Sequence, residues 1–228
     1  ANFSLGSNKI YKLDLTNSND NYEYSYTKKP VKAINGKLYV TSDALENAFN
    51  LYLPPEDVAA VFFEPIAGDS GIIVPPKKYV QALFSLCQKY NILFVVDEIQ
   101  QAWGRSGKFF SIEHFDIEPD LIVMGKASGG GLPMGIVMGK TPIMDSLDAP
   151  AHVFTMSGNS TVCVAALKML EIFERENLVE KSRIKGDYFK NKLLSLKSKY
   201  SIIKDVRGMG LSIGVDLDNK TSTTKVIY

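Results

Sequence analysis

The chain has 228 residues, a net charge of +1, 45% hydrophobic and 22% charged residues. That is the make-up of a globular protein of one large domain or one and a half smaller ones. The near-neutral balance gives no electrostatic footprint for nucleic acid or a membrane surface. No apolar run nears the roughly 18 residues of a membrane-crossing helix. Ala1 to Gly6 lack the basic and apolar regions of a signal peptide. Two cysteines, Cys87 and Cys163, are too few for a disulfide framework and are expected as buried thiols in a cytoplasmic protein.

In chain order, residues 17–26 are polar with interleaved tyrosines and show no helical period. Asn35-Gly36 is a turn signal between two short apolar runs and predicts a hairpin. Ser42-Asp43 ahead of Ala44 and Leu45 predicts a short capped helix. From residue 58 a strand–helix rhythm begins. Residues 58–63 read as a strand ending at Glu64-Pro65, and 79–90 as an amphipathic helix with Tyr79, Leu83, Leu86 and Tyr90 on one stripe. Residues 92–96 form an apolar strand ending at Asp97, and 121–124 a second one ending at Lys126. Gly129-Gly130-Gly131 demands unusual backbone angles or close approach to a ligand. Residues 136–138 read as a further strand. Helices follow over 161–176, with Val162, Ala165, Ala166, Met169, Leu170 and Phe173 buried, and over 179–199. Residues 205–217 read as one strand carrying Arg207-Gly208. Alternating strands and helices predict an α/β fold with a mainly parallel sheet flanked by helices. The expected divisions are 1–53, 54–160 and 161–228, the last opening a small α+β domain.

Two fully apolar strands suit a parallel sheet covered on both faces, and ligands in such sheets bind beyond the strands' carboxyl ends. That edge would present a carboxylate (Asp97), an amide (Gln100) and an amine (Lys126). A pyridoxal phosphate enzyme needs those three. The amine forms an imine with the cofactor aldehyde, the carboxylate pairs with the protonated ring nitrogen, and a donor holds the ring hydroxyl. Each also has a plainer reading: a solvated lysine at a strand end, a helix-capping aspartate and an exposed loop amide.

The segments FEPIAGDSGI, LCQKYNILFVVDEIQQAWGRSGK, EPDLIVMGKASGGGLP, FTMSGNS and DVRGMGL together resemble the class III aminotransferases of fold type I, the group of 4-aminobutyrate and ornithine aminotransferases. The resemblance runs from about Pro54 to the C-terminus and does not extend to residues 1–53. Residues 146–152 and 224–228 look closest to the family's branched-chain amino-acid racemase branch.

The resemblance implies pyridoxal 5'-phosphate held on Lys126, with Asp97 at the ring nitrogen, Gln100 at the ring hydroxyl and Ile99 against a ring face. Glu98 is expected to point away in a structural role. Thr155 would reach the cofactor phosphate of a partner subunit, which implies a homodimer with shared sites. Glu64 and Asp69 fall on the substrate side; Asp69 stands where the aminotransferases usually carry a glutamate, and is also a plausible turn residue. The expected substrates are small amino acids and oxo acids, with no nucleic acid or membrane partner. The reaction is transamination or, alternatively, racemisation, or the chain is a truncated relative without catalysis.

Departures from the pattern include Ala102 and Trp103 in a segment that is usually glycine-rich. Trp103 would narrow the pocket or pack as a core aromatic, and Arg105 would clamp a carboxylate or hold its loop. His114 and His152 show no metal spacing. Family members are about twice as long, so a phosphate-cupping helix N-terminus, a ring-stacking aromatic and a substrate-carboxylate arginine are expected outside this chain. A P-loop reading fails because Met134 stands at the first glycine ahead of Gly139-Lys140-Thr141.

Overall fold

The computed structural model describes residues 54–148 and 154–218, together with the backbone of four short strands between residues 9 and 39. The chain divides into two compact units, residues 1–61 with 78–93 and residues 62–77 with 94–228.

In the first unit, strand β1 (Lys9–Leu13) pairs antiparallel with β2 (Asn21–Tyr26). Strand β3 (Lys32–Ile34) pairs antiparallel with β4 (Lys37–Tyr39), flanking Asn35-Gly36 as the turn signal predicts. The predicted helix near residue 44 lies outside the described residues. Helix α1 (Lys77–Lys89) buries Val80, Leu83, Leu86 and Cys87. Leu83 and Leu86 are buried as the stripe predicts, whereas Tyr79 and Tyr90 at its ends are half-buried and Val80 and Cys87 are buried instead. The helix closes by a Schellman arrangement. Asn91 takes a left-handed φ of 54° and the Ile92 N–H donates back to the Cys87 carbonyl at 2.9 Å, which turns the chain directly into the next strand.

A four-stranded sheet runs in the order β5 (Ala60–Phe63), β6 (Leu93–Asp97), β7 (Leu121–Met124) and β8 (Ile136–Gly139). Strands β6 and β7 are parallel, with Asp97 opposite Val123. Strand β8 returns antiparallel to β7, so an antiparallel strand joins the parallel pairing of β6 and β7. Phe94, Val95 and Val96 are buried, as the unbroken apolar run requires. The fold is α/β.

After a single turn, α2 (Thr141–Met144), helices α3 (Ser160–Arg175) and α4 (Leu178–Lys197) follow. The Asn159 side chain caps α3 by accepting from the Val162 N–H at 3.2 Å. Only Ala166 of the six residues predicted as buried in α3 falls below the solvent; the rest are half-buried, and so is Cys163. The predicted strand over 205–217 is in fact a hairpin, β9 (Ile203–Met209) and β10 (Ser212–Leu217), paired antiparallel. Gly210, at a φ of 52°, makes the turn that the apolar alternation on either side conceals.

Small residues bring this hairpin against the rest of the second unit. Leu211 N–H donates to the Arg105 carbonyl at 2.8 Å, and the Ser182 hydroxyl donates to the same oxygen at 3.2 Å. A methyl group on Gly186 would stand 2.0 Å from the Gly210 carbonyl oxygen. The Arg207 guanidinium ties β9 to the Gly71 carbonyl at 2.9 Å and pairs with Asp205 and Asp216. The hydrogen bond that Arg207 donates to Asp216 is the main reason the arginine's pKa is raised.

Candidate functional site

Because β6 and β7 are parallel, their last residues reach the same sheet edge. Asp97 closes β6, and Lys126 follows the end of β7 by two residues. The predicted strand end at Lys126 is a tight 3-10 turn over Lys126–Gly129. A cavity of about 490 Å3 opens there, and Lys126, Gln100 and Ile99 all line it.

Backbone strain concentrates around this cavity. Six described non-glycine residues have positive φ, and three of them are in its wall: Ile72 at 55°, Trp103 at 63° and Lys126 at 44°. Side-chain-bearing residues rarely adopt that region, least of all a β-branched one. Each such residue costs on the order of 1–3 kcal/mol, and such residues cluster at functional sites.

Close contacts fix the named side chains. A methyl on Gly125 would lie 3.3 Å from Ile99 Cγ2, so Ile99 packs on the backbone just before Lys126. A methyl on Gly68 would fall 1.4 Å from Gln100 Oε1; only glycine there leaves room for that amide. The neighbouring Gln101 is 1% exposed, and its Nε2 donates to Gln100 Oε1 at 3.2 Å. Its own Oε1 is a buried acceptor without a donor among the described residues.

The other predicted residues are placed as follows. Asp97 accepts from the Ile99 N–H at 2.9 Å and lines an adjacent cavity of about 420 Å3 with Glu64; it is not in the wall that holds Lys126. Glu64 accepts from the Gly68 N–H at 2.7 Å. Asp69 is exposed in the turn closed by Gly71 N–H on the Gly68 carbonyl. Thr155 is exposed in a separate turn and is absent from the Lys126 cavity. Glu98 is fully buried and accepts from the Ser111 hydroxyl at 2.8 Å and the Ile112 N–H at 2.9 Å. Burial pushes its carboxyl up to about 7, and those hydrogen bonds oppose the rise. His114 sits in a 3-10 turn (Ser111–Phe115), half-buried against the Ser106 carbonyl at 3.1 Å. Burial lowers its pKa. His152 lies outside the described residues.

Sequence reading missed Ile72, Gln101 and Ser128. Ser128 is fully buried and accepts from the Trp103 indole N–H at 3.0 Å. Trp103 itself is packed, 8% exposed, with rings centred 5.2 Å from Phe109 and 5.9 Å from Phe173. No local pattern marks a contact between residues 25 positions apart.

The aminotransferase class-III family model matches residues 2–228, a span that begins before Pro54, where the sequence reading started the resemblance. The chain belongs to the class III aminotransferases. The isoleucine 2-epimerase of Lentilactobacillus buchneri is 44% identical over 189 residues, covering 79% of this chain and 42% of that protein. The leucine/methionine racemase of Thermococcus litoralis is 43% identical over 173 residues, covering 76% of this chain and 39% of its own. Among solved structures, an ornithine aminotransferase of Toxoplasma gondii that holds pyridoxal phosphate superposes with a TM-score of 0.73 at 35% identity, covering 79% of this chain and 42% of that one. This class III chain spans about two-fifths of the length of the relatives it matches. The fold is therefore that of fold type I, and the family is pyridoxal phosphate-dependent.

The residues present fit one end of that cofactor. The cavity offers a primary amine for the aldehyde, an amide beside it, an aliphatic side chain for the ring face and a buried acceptor in Gln101. Asp97 keeps its Oδ2 free of any donor among the described residues. No cradle of backbone N–H groups for the phosphate is formed in this wall by the described residues.

Proposed function

We propose that Lys126 is the covalent attachment point of pyridoxal phosphate in an enzyme that removes the α-proton of an amino acid. The observation that carries this reading is Lys126 held at a strained φ of 44° in the same cavity as Gln100 and Ile99, beyond the carboxyl ends of two parallel strands. When bound, pyridoxal phosphate supplies an electron sink for the pair left on the substrate carbon. Lys126 would hold the group through its amine, and the same amine would serve as the base for the proton on the α-carbon. Gln100 donates its amide towards the ring hydroxyl. Ile99 packs one ring face. Asp97, one residue before Glu98 at the same sheet edge, pairs with the ring nitrogen and keeps it protonated.

Two fates of that proton distinguish the two readings. In transamination, the Lys126 ammonium would not return the proton to the substrate carbon, whose amino group would stay with the bound group and be replaced by oxygen from water to give an oxo acid. In racemisation, a proton exchanged with solvent would be delivered to the opposite face of the same amino acid. The family model supports transamination, the similarity to ornithine aminotransferases favours an ω-amino acid such as ornithine, and 4-aminobutyrate is proposed beside it. The similarity to an isoleucine 2-epimerase and a leucine/methionine racemase supports racemisation of a branched-chain amino acid as the second reading. Thr155, exposed and outside the cavity of its own chain, serves the phosphate of a partner subunit in a homodimer. Glu64 and Asp69 lie towards the substrate. The setting is cytoplasmic, and no described helix is long and apolar enough to cross a membrane.

The deciding test mixes the protein with pyridoxal phosphate, reduces with borohydride and maps the added mass. Label concentrated on Lys126 and abolished in Lys126→Ala is the expected result. Label scattered over surface lysines overturns the assignment. With a labelled protein in hand, leucine and isoleucine in deuterated water separate the fates. Deuterium at the α-carbon of the inverted amino acid indicates racemisation, and oxo-acid release indicates transamination.

A further inference from the structure

Lys126 occupies a left-handed backbone conformation, yet nothing in its own turn compensates a residue with a side chain there. Gly125 provides no side-chain cap, and the turn is closed by two ordinary bonds, Ser128 N–H to the Gly125 carbonyl at 3.0 Å and Gly130 N–H to the Ala127 carbonyl at 3.0 Å. What is added from outside is a short relay. The Trp103 indole N–H donates to Ser128 Oγ at 3.0 Å, and Ser128 Oγ donates to the Gly125 carbonyl at 2.8 Å. That carbonyl belongs to the peptide unit immediately before Lys126. The Gly125 oxygen thus takes two hydrogen bonds from one residue, through its amide and its hydroxyl.

The donor end is itself held rigidly. Trp103 is clamped between Phe109 and Phe173 and has a left-handed φ of 63°. The next residue, Gly104, has a φ of 75°, and its N–H donates to the Phe109 carbonyl at 3.2 Å. Two strained residues in one cavity wall are therefore joined by a single buried chain of hydrogen bonds. An indole N–H has only one bond to give and acts only as a donor, and a serine hydroxyl passes polarity on because it accepts and donates at once. Breaking the chain leaves a buried donor or acceptor unsatisfied next to Lys126.

We propose that Trp103 and Ser128 are positioning residues that hold the Lys126 turn in its strained conformation, so that the amine is presented to the cavity. The proposal rests on the reading of Lys126 as the cofactor lysine. Neither residue touches the reacting atoms; both act through the Gly125 peptide. Trp103 combines this role with forming part of the wall, whereas Ser128 acts purely through hydrogen bonds.

The test uses Trp103→Phe, which keeps a ring in the stack and removes the N–H, Ser128→Ala, which removes the hydroxyl, and the double variant. For each, the borohydride-trapped label on Lys126 is expressed relative to label on surface lysines between pH 6 and 10. Each single variant is expected to lower the ratio by about 2- to 10-fold, the value of one hydrogen bond. The double variant should fall no further than the single ones, because both substitutions break one chain. Amide hydrogen exchange of the cofactor-free protein gives a second readout, with Ser128 and Gly130 exchanging faster in the variants. Where Trp103→Phe lowers the melting temperature, Ser128→Ala decides alone. Unchanged labelling and unchanged exchange in Ser128→Ala overturn the relay while leaving the function standing. Multiplying effects in the double variant also overturn it. A wild-type protein that shows no preference for Lys126 removes the functional reading and this inference with it.

Discussion

Strand β6 and helix α4 bury themselves by opposite means. In β6, large side chains go inward: Phe94 and Val96 are fully buried, and Phe94 stacks 5.7 Å from Phe63. In α4 the only buried residues are small, Ser182 and Gly186, while Tyr188 and Phe189 are more than half exposed. The strand is held by side-chain volume and the helix by backbone approach through residues that have almost no side chain. A periodic apolar pattern therefore marks where large residues recur, and the small residues between them can be the ones that make the contact.

Four substitutions probe this contrast. Phe94→Ala deletes a fully buried ring and is expected to cost about 3–5 kcal/mol in urea unfolding. A loss under 1 kcal/mol would mean that the β6 layer closes over the cavity. Gly186→Ala places a methyl where the Gly210 carbonyl oxygen already lies, with an expected cost of about 1–3 kcal/mol from overpacking. Stability equal to wild type would show that the hairpin moves away freely, and the backbone-contact account would fail.

Glu98→Gln tests a buried charge in the same segment as β6. The folded carboxyl titrates at about 7 against an ordinary 4.5, so the folded state binds its proton more tightly than the unfolded chain. Its contribution is complete below pH 4.5 and is lost as pH rises to 7. A glutamine can accept from the Ile112 N–H and donate to the Ser111 hydroxyl, so the variant should remove that decline. At pH 8 it is expected to be about 1–3 kcal/mol more stable than wild type. A melting profile that still declines between pH 4.5 and 7 would assign the slope to other groups. The smallest effect belongs to Phe189→Ala. An exposed ring on α4 should change stability by less than about 0.5 kcal/mol, and a drop of 2 kcal/mol would reveal a packing role for that face.

What the sequence disclosed follows the range of the forces involved. The apolar run over 92–96 and the carboxylate at its end are local signals, and both stand where the pattern placed them. Lys126 stands at the sheet edge where the reading put it, because parallel strands deliver their last residues to one edge. The hairpin at Gly210 was concealed because residues on both sides keep the same alternation, so the turn is visible only in its left-handed φ. Ile72, Gln101 and Ser128 were not legible at all. Their roles come from contacts with distant segments or from backbone strain, and neither leaves a periodic trace. The stripe on α1 differs only at its two tyrosine ends, because tyrosine can cover a rim without being buried. Cys163 is half-buried because α3 buries only Ala166.

Trp103 is the one tryptophan in the chain and stands in the wall of the Lys126 cavity. All indole fluorescence of this chain thus originates from a single point beside the proposed site. Emission excited in the indole band becomes a native optical reporter of that wall: its wavelength follows how dry the cavity is, and its intensity follows the arrival of any chromophore that absorbs in the near ultraviolet. Occupancy of the site can then be titrated in unmodified protein without a dye or a coupled assay.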